Sequence, residues 1–259
     1  MRNRWFGIPF VLLCAFMLAS LCAERVSAQS QSAEKPVLYT YVSEWAVPRA
    51  MWGDYLKSET EDTDMLKKAV ADGTLVSFGS FAVLNHQEGS PTHGTWFSSG
   101  SLANILKFLE VLRNAPGATS APLAAAKHWD YILQSRNYSS HSGTFTNGYL
   151  RVGSWHPKAG SSDPDAKIMK ATMVALCEKL LADGALHGYQ IDTETVHSSD
   201  PGTIYIALIT NGPEGLDKFN TLLEETQKSN PAGWAGFGGT VDPAGHRDTI
   251  ARIATMTHK

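Results

Sequence analysis

Ala71-Asp72-Gly73 and Ala182-Asp183-Gly184 are two copies of one signal. Each closes a run of helical spacing. Each is followed by a strand-like stretch with a histidine thirteen positions after the glycine, His86 in the first copy and His197 in the second. Glycine at such a place supplies the left-handed residue that ends a helix. Ahead of the first copy, Trp52, Tyr55 and Leu56 open a helix and Leu66, Ala69 and Val70 close it. Ahead of the second, Met169, Met173, Leu176, Cys177 and Leu180 recur at three- and four-residue steps. After the glycines, residues 75–85 and 186–196 read as a second strand, long for its kind.

The duplication continues outward in both directions. Tyr39, Val42 and Trp45 are matched by Tyr149, Val152 and Trp155, a first strand in each half, with Pro48 and Pro157 to stop it. A third strand starts at Gly94-Thr95 and again at Gly202-Thr203. A second helix carries Leu102, Ile105, Leu106 and Leu109 behind an N-cap at Ser101, and its counterpart carries Leu216, Phe219, Leu222 and Leu223. Residues 114–122 and 230–245, rich in Gly, Pro, Ser and Ala, read as loops. Each half closes on a His-x-Asp motif, His128 with Asp130 and His246 with Asp248.

The expected division is a polar lead over 29–36, repeats over 37–136 and 149–253, a linker over 137–148 and a tail over 254–259. Each repeat reads β-α-β-β-α with a closing segment, the ferredoxin-like order. Two helices cover one face of such a sheet, so the other face needs a partner, and the other half's sheet is the nearest one. The expected fold class is α+β: two tandem ferredoxin-like modules packed as a pseudo-dimeric α+β barrel.

On these paired positions, above all the tyrosine–tryptophan strands, the Ala-Asp-Gly pair, His86 with His197 and the two His-x-Asp motifs, the chain resembles the dimeric α+β barrel superfamily as a fused tandem repeat. It also looks like an uncharacterised group of exported bacterial proteins. The resemblance implies a fold more than an activity. It extends loosely to cofactor-free monooxygenases, small isomerases and haem-dependent barrels.

Residues 1–28 read as a secretory signal: Arg2 and Arg4, an apolar run over 6–21, then Val26-Ser27-Ala28 before the cleavage point. A periplasmic or extracellular location follows as the expectation. The apolar run is too short for a good membrane span, so no span is expected after cleavage. Cys22 follows Leu21, where lipid attachment favours a small residue. The net charge of −3, with no basic stripe, makes nucleic acid a poor partner. Of three cysteines, Cys14 and Cys22 leave with the signal. Cys177 then stays alone on an apolar helical face, as an inert buried thiol.

No strong catalytic signature is present. His86 and His197 are candidates for a general base or metal ligand, against the plainer role of fixing a hairpin. Asp192 and Glu194 share a strand face with Gln190. Paired carboxylates can divide acid and base work, although a solvated strand face has the same pattern. The first half has Gly79, Phe81 and Val83 at those places. His128, Asp130, His246 and Asp248 are weak metal candidates. On a strand the two residues of each motif share a face, and on a helix they diverge. The four-residue step from Asp248 to Arg252 favours a helix there. Trp45, Phe78, Trp96, Trp155 and Tyr189 are candidates to line an apolar pocket for a planar ligand, with core packing as their default role.

The reading that follows is an exported small-molecule-binding or structural envelope protein, with a small hydrophobic ligand as partner, no cofactor, and room for a homo-oligomer. Its alternatives are an enzyme acting on a small hydrophobic molecule through a pocket histidine, and a His/Asp metal-binding protein.

Overall fold

Gly73 and Gly184 both take positive φ, +84° and +70°, and both end a helix as the repeated triplet requires. Leu75 N–H then donates to Ala69 O (2.9 Å) and Leu186 N–H to Leu180 O (3.1 Å), so each leucine folds back onto its helix. Both leucines are fully buried. This cap contact uses up the first residues of the expected long strands, which are therefore shorter: Ser77–Val83 and Gly188–Val196.

The computed structural model describes residues 35–115, 120–161, 166–196 and 202–259, with the backbone alone for 60–62, 166 and 167. The expected signal peptide, His197 and the turn at 198–201 lie outside the described residues. Pro36–Lys259 forms one compact unit.

The first half contains β1 (Leu38–Ala46), α1 (Trp52–Ala71), β2 (Ser77–Val83), β3 (His93–Ser99), α2 (Leu102–Arg113), the five-residue α3 (Ala121–Ala125) and β4 (Lys127–Ser140). After β5 (Gly143–Thr146) the second half runs β6 (Tyr149–Pro157), α4 (Ala166–Met169), a π turn (Lys170–Val174), α5 (Ala175–Ala182), β7 (Gly188–Val196), β8 (Ile204–Thr210), α6 (Pro213–Ser229), α7 (Pro231–Thr240) and β9 (Val241–His258). Strand order is β2-β3-β1-β4-β7-β8-β6-β9, β9 pairs back onto β2, and every pairing is antiparallel. The result is a closed eight-stranded barrel with β5 added on β9. Closure removes the free sheet edges that each four-stranded half would expose. Both halves arrange their successive strands in the same order, second-third-first-fourth.

The inner faces of the two halves meet in the lumen. Phe81 and Val83 from the first pack with Leu150, Ala251, Ile253 and Met256 from the second. Outside the barrel, each half packs its own helices on its own sheet. One core gathers Leu66, Phe78, Phe97, Ile105 and Phe108, and the other Met173, Leu176, Ile191, Ile206 and Phe219. Among the described residues no helix is long and apolar enough to cross a membrane.

Three local expectations change. Residues 231–240, read as loop, form α7: Asn230 caps it by accepting from Gly233 N–H (3.1 Å), and Pro231 sits where a missing N–H costs nothing. Its glycines masked the helix, and Phe237, 5% exposed, anchors it. The linker and tail are largely strand. β4 runs on to Ser140 to pair with β7, β5 occupies Gly143–Thr146, and β9 reaches His258. The His-x-Asp motifs both lie on strands, so the helical reading at Asp248 fails. Asp248 pairs in register with Gly153, and Arg252 reaches Tyr149 Oη (3.2 Å).

Candidate functional site

On β1, alternation sends Tyr39, Tyr41, Ser43 and Trp45 outward, toward the helices. On β4 the same face carries His128, Asp130 and Ile132, in register with Trp45, Ser43 and Tyr41. The first His-x-Asp motif thus meets the first-strand aromatics side by side. The His128 ring stacks on Trp45 with centroids 3.4 Å apart and planes 7° from parallel. His128 Nε2 donates to Asp130 Oδ1 (2.8 Å), and Ser43 Oγ lies 2.7 Å from the same nitrogen. Tyr41 Oη donates to Asp130 Oδ1.

Burial works to raise the Asp130 pKa, but hydrogen bonds from His128, Tyr41 and Ser43 outweigh it and hold the carboxyl below its usual range. Burial first, then the bond to Asp130, raises the Tyr41 phenol. Serine, histidine and aspartate meet here, but both partners sit on one imidazole nitrogen. A nucleophile relay needs them on opposite nitrogens, so this trio is not one.

Above the trio the helices leave a cavity of about 390 Å³, within the range of small-molecule pockets. Its floor is the outer sheet face, with Tyr41, Ser43 and Trp45 from β1, Phe78 and Ser80 from β2, and Thr95 and Phe97 from β3. Leu66, Leu109, Leu112 and Leu123 enclose it, and Arg113 at the end of α2 borders it. Ser80 is buried, and its Oγ has no hydrogen-bond partner.

Among the described residues, the second half repeats the wall with an aromatic side chain packed on it. His246 stacks on Trp155 at 3.6 Å, its Nε2 lies 3.1 Å from Asp248 Oδ2, and its Nδ1 lies 3.0 Å from Ser154 O. Arg151 stands where the first half has Tyr41, and Gly153 where it has Ser43. Phe237 meets Trp155 edge-on at 5.7 Å. The difference lies in the helix before the closing strand: α3 buries only Pro122, whereas α7 inserts Phe237 with Trp234 beside it.

Asp192 and Glu194 point the other way, into the lumen, and each is only 3% exposed. They do not lie on a solvated face. Gln190 Nε2 donates to Asp192 Oδ1 (2.6 Å) and lies 2.7 Å from Thr40 Oγ1, which itself pairs with Ser98 Oγ (2.8 Å). Glu44 from the first half faces the same interior. Burial pushes both Asp192 and Glu44 up to about 7, against hydrogen bonds from Gln190 and Tyr131 that work the other way.

Of the remaining candidates, His86 is exposed past the end of β2, where its ring stacks on Trp52 (5.3 Å), away from the cavity. Trp45 and Phe78 line the cavity. Trp96 lies inside the barrel against Phe81, Trp155 packs edge-on against Phe237, and Tyr189 is buried with its hydroxyl on Glu178 Oε1 (2.5 Å). Cys177 is fully buried, and burial pushes its thiol up to about 12. Among the described residues no group of three or more His, Cys, Asp or Glu is disposed to hold a metal ion. Ser43, Ser80 and Thr95 escaped the reading of motifs. Alternation along β1 from Tyr39 to Trp45 places Ser43 on the aromatic face, and the contrast with Gly153 marks it as special to one half.

No protein-family model matches the chain, and no curated protein sequence matches it. Similar solved structures do exist. A candidate monooxygenase from Lactobacillus acidophilus NCFM shares 10% identity over 86% of this chain and 96% of its own, with a TM-score of 0.58. A mutant chlorite dismutase from Candidatus Nitrospira defluvii shares 12% over 84% and 90%, with a TM-score of 0.52. A haem-binding protein from Thermus thermophilus shares 11% over 83% and 90%, with a TM-score of 0.52. At such identities the likeness concerns fold alone, and that fold is the dimeric α+β barrel, present here in one chain.

Proposed function

We propose that this chain binds a small, mainly apolar molecule in the cavity of its first half. The observation that carries the reading is the contrast between the halves. The same Trp-His-Asp wall faces about 390 Å³ of space in one and a packed Phe237 in the other. Close packing is the rule in protein interiors, so a cavity beside such a wall calls for an occupant. The tandem order of matching strands supports descent from one doubled ferredoxin-like module, in which only one copy kept its site. Export, with cleavage after Ala28, belongs to the same proposal and rests on the leader sequence.

A second reading, an enzyme acting on that molecule, is favoured by His128. Its ring lines the cavity, and Asp130 fixes its orientation through Nε2. Haem, which one of the similar structures is described as binding, is not part of this reading: His128, the imidazole in the cavity wall, has its Nε2 held by Asp130 and Ser43 and its face covered by Trp45.

The test is calorimetric titration of the chain with toluene, comparing wild type with Leu123→Trp, in which the larger ring fills the cavity. Saturable binding that moves the Trp45 indole NMR signal and disappears in the variant is the expected result. Wild type that takes up no toluene would overturn the reading.

A further inference from the structure

We infer that the ligand of this cavity is a ring compound with two neutral oxygen groups, hydroxyl or carbonyl, in a 1,3 relation along one edge. The inference rests on the binding proposed above and adds the chemistry of the ligand.

The cavity floor contains a row of polar side chains that crosses four strands. Asp130 pairs in register with Ser43, Ser43 with Thr95, and Thr95 with Ser80. All four face the cavity. Neighbouring strands lie about 4.8 Å apart, so the three hydroxyls from Ser43 to Ser80 form a track of about 10 Å. Rows of different character flank it. Tyr41, Phe97 and Phe78 lie in register on one side, and Trp45 with its stacked His128 on the other.

The second half supplies an internal control. Its matching row is Asp248, Gly153, Ile206 and Ile191. The aspartate is kept, but the three hydroxyl positions hold a glycine and two buried isoleucines of the apolar core. The barrel therefore does not need hydroxyls at these register positions. In the first half they persist under a cavity, and Ser80 Oγ is buried without a partner. A buried polar atom left without a hydrogen bond is a standing penalty, relieved when a ligand group reaches it.

The row also constrains the occupant. Groups that engage Thr95 and Ser80 together must repeat at the strand spacing, which 1,3-related oxygens on a six-membered ring approach and 1,2-related oxygens do not. The aromatic rows on either side favour a ring as the body. The groups that meet Ser43, Thr95 and Ser80 meet hydroxyls and no charge, and an ionised group away from water is costly unless paired, so the polar groups are neutral.

The test is titration of the full chain with resorcinol, catechol and toluene, repeated with Ser80→Ala and Thr95→Val. Resorcinol is expected to bind more tightly than catechol and toluene. Each variant should weaken resorcinol by about three- to tenfold while leaving toluene unchanged or tighter. Ser80→Ala should also raise the Tm of the free protein, because it removes an unsatisfied hydroxyl. Toluene binding with no preference for resorcinol, or with resorcinol indifferent to both variants, overturns the polar edge and leaves the cavity reading intact. Equal binding of catechol and resorcinol overturns the 1,3 spacing. A lowered Tm in Ser80→Ala assigns Ser80 to structure and overturns the inference. Binding by none of the three overturns both readings.

Discussion

Tyr41 and Arg151 hold matching places in the two halves, and each reaches the aspartate of its own His-x-Asp motif. The contacts differ in kind. Arg151 Nε and Nη2 meet the two Asp248 oxygens at 3.2 and 3.3 Å, which neutralises the carboxylate. Tyr41 donates one hydrogen bond and leaves the Asp130 charge in place beside the cavity. The half in which a tyrosine rather than an arginine meets the carboxylate is the one whose wall borders the cavity of about 390 Å³.

That contact gives a prediction at Asp130. Its folded-state pKa is depressed, so the stability it supplies is present above the pKa of the unfolded carboxyl and is lost as pH falls through the folded value. Tyr41→Phe removes one of the donors that keep it low. The expected cost at pH 7 is about 1 kcal/mol, at the low end for a bond to a charged group because Asp130 is 46% exposed. The cost should shrink toward pH 3. Urea unfolding of wild type and variant at both pH values measures it, and a cost that grows on acidification contradicts the assignment.

The architecture was legible because its signals are local and occur twice. Gly73 and Gly184 announce their caps, and the Tyr39–Trp45 and Tyr149–Trp155 strands announce each other. The site was harder to see. Whether Asp192 faces water or the lumen depends on closure of the barrel through β4–β7 and β9–β2, which no short window of sequence encodes. Whether a Trp-His-Asp wall borders a cavity depends on the helix packed over it. Four glycines in α7 read as a loop, yet that helix delivers Phe237 to the core beside Trp155. His86 and His197 drew attention by matching spacing, but spacing alone does not say that the chain has already left the barrel at His86.

Phe237→Ala should therefore open in the second half the kind of space that the first half already has. Phe237 is 5% exposed and packs on Trp155 and Trp234. Removing the ring should cost about 3–5 kcal/mol, near the low end if the glycine-rich helix can collapse inward. Denaturant unfolding gives the number. A cost under about 1 kcal/mol would mean that Phe237 is not what fills the site.

Gly184→Ala isolates the cap. A Cβ built at Gly184 meets nothing within 4 Å, so any effect comes from holding an L-residue at φ +70°. The expected cost is about 1 kcal/mol, and Gly184→Asn should recover part of it because asparagine tolerates this region. Thermal melts of the two variants make the comparison, and alanine no worse than asparagine would argue against the left-handed cap as the reason for the glycine.

Asp192→Asn tests the lumen. Burial raises the Asp192 pKa to about 7 from a reference of 3.8, so the folded state binds the proton more tightly than the unfolded chain does. The corresponding stability is full below about pH 4 and is lost as pH rises toward 7, each pKa unit amounting to about 1.4 kcal/mol. Asparagine keeps the oxygen that accepts from Gln190 and cannot ionise. The variant should match wild type near pH 4 and exceed it by on the order of 1–3 kcal/mol at pH 8, the gap opening between those values. His93 acts in the opposite sense. Burial first, then His86, lowers it to about 4, so its contribution grows as pH rises from 4 to 6.5. Glu44 adds a slope of the same sign as Asp192. Both are present in wild type and variant alike, so the difference between the two unfolding curves, taken at each pH from 4 to 8, isolates Asp192. A gap that stays constant across that range would place the Asp192 carboxyl outside the dry interior.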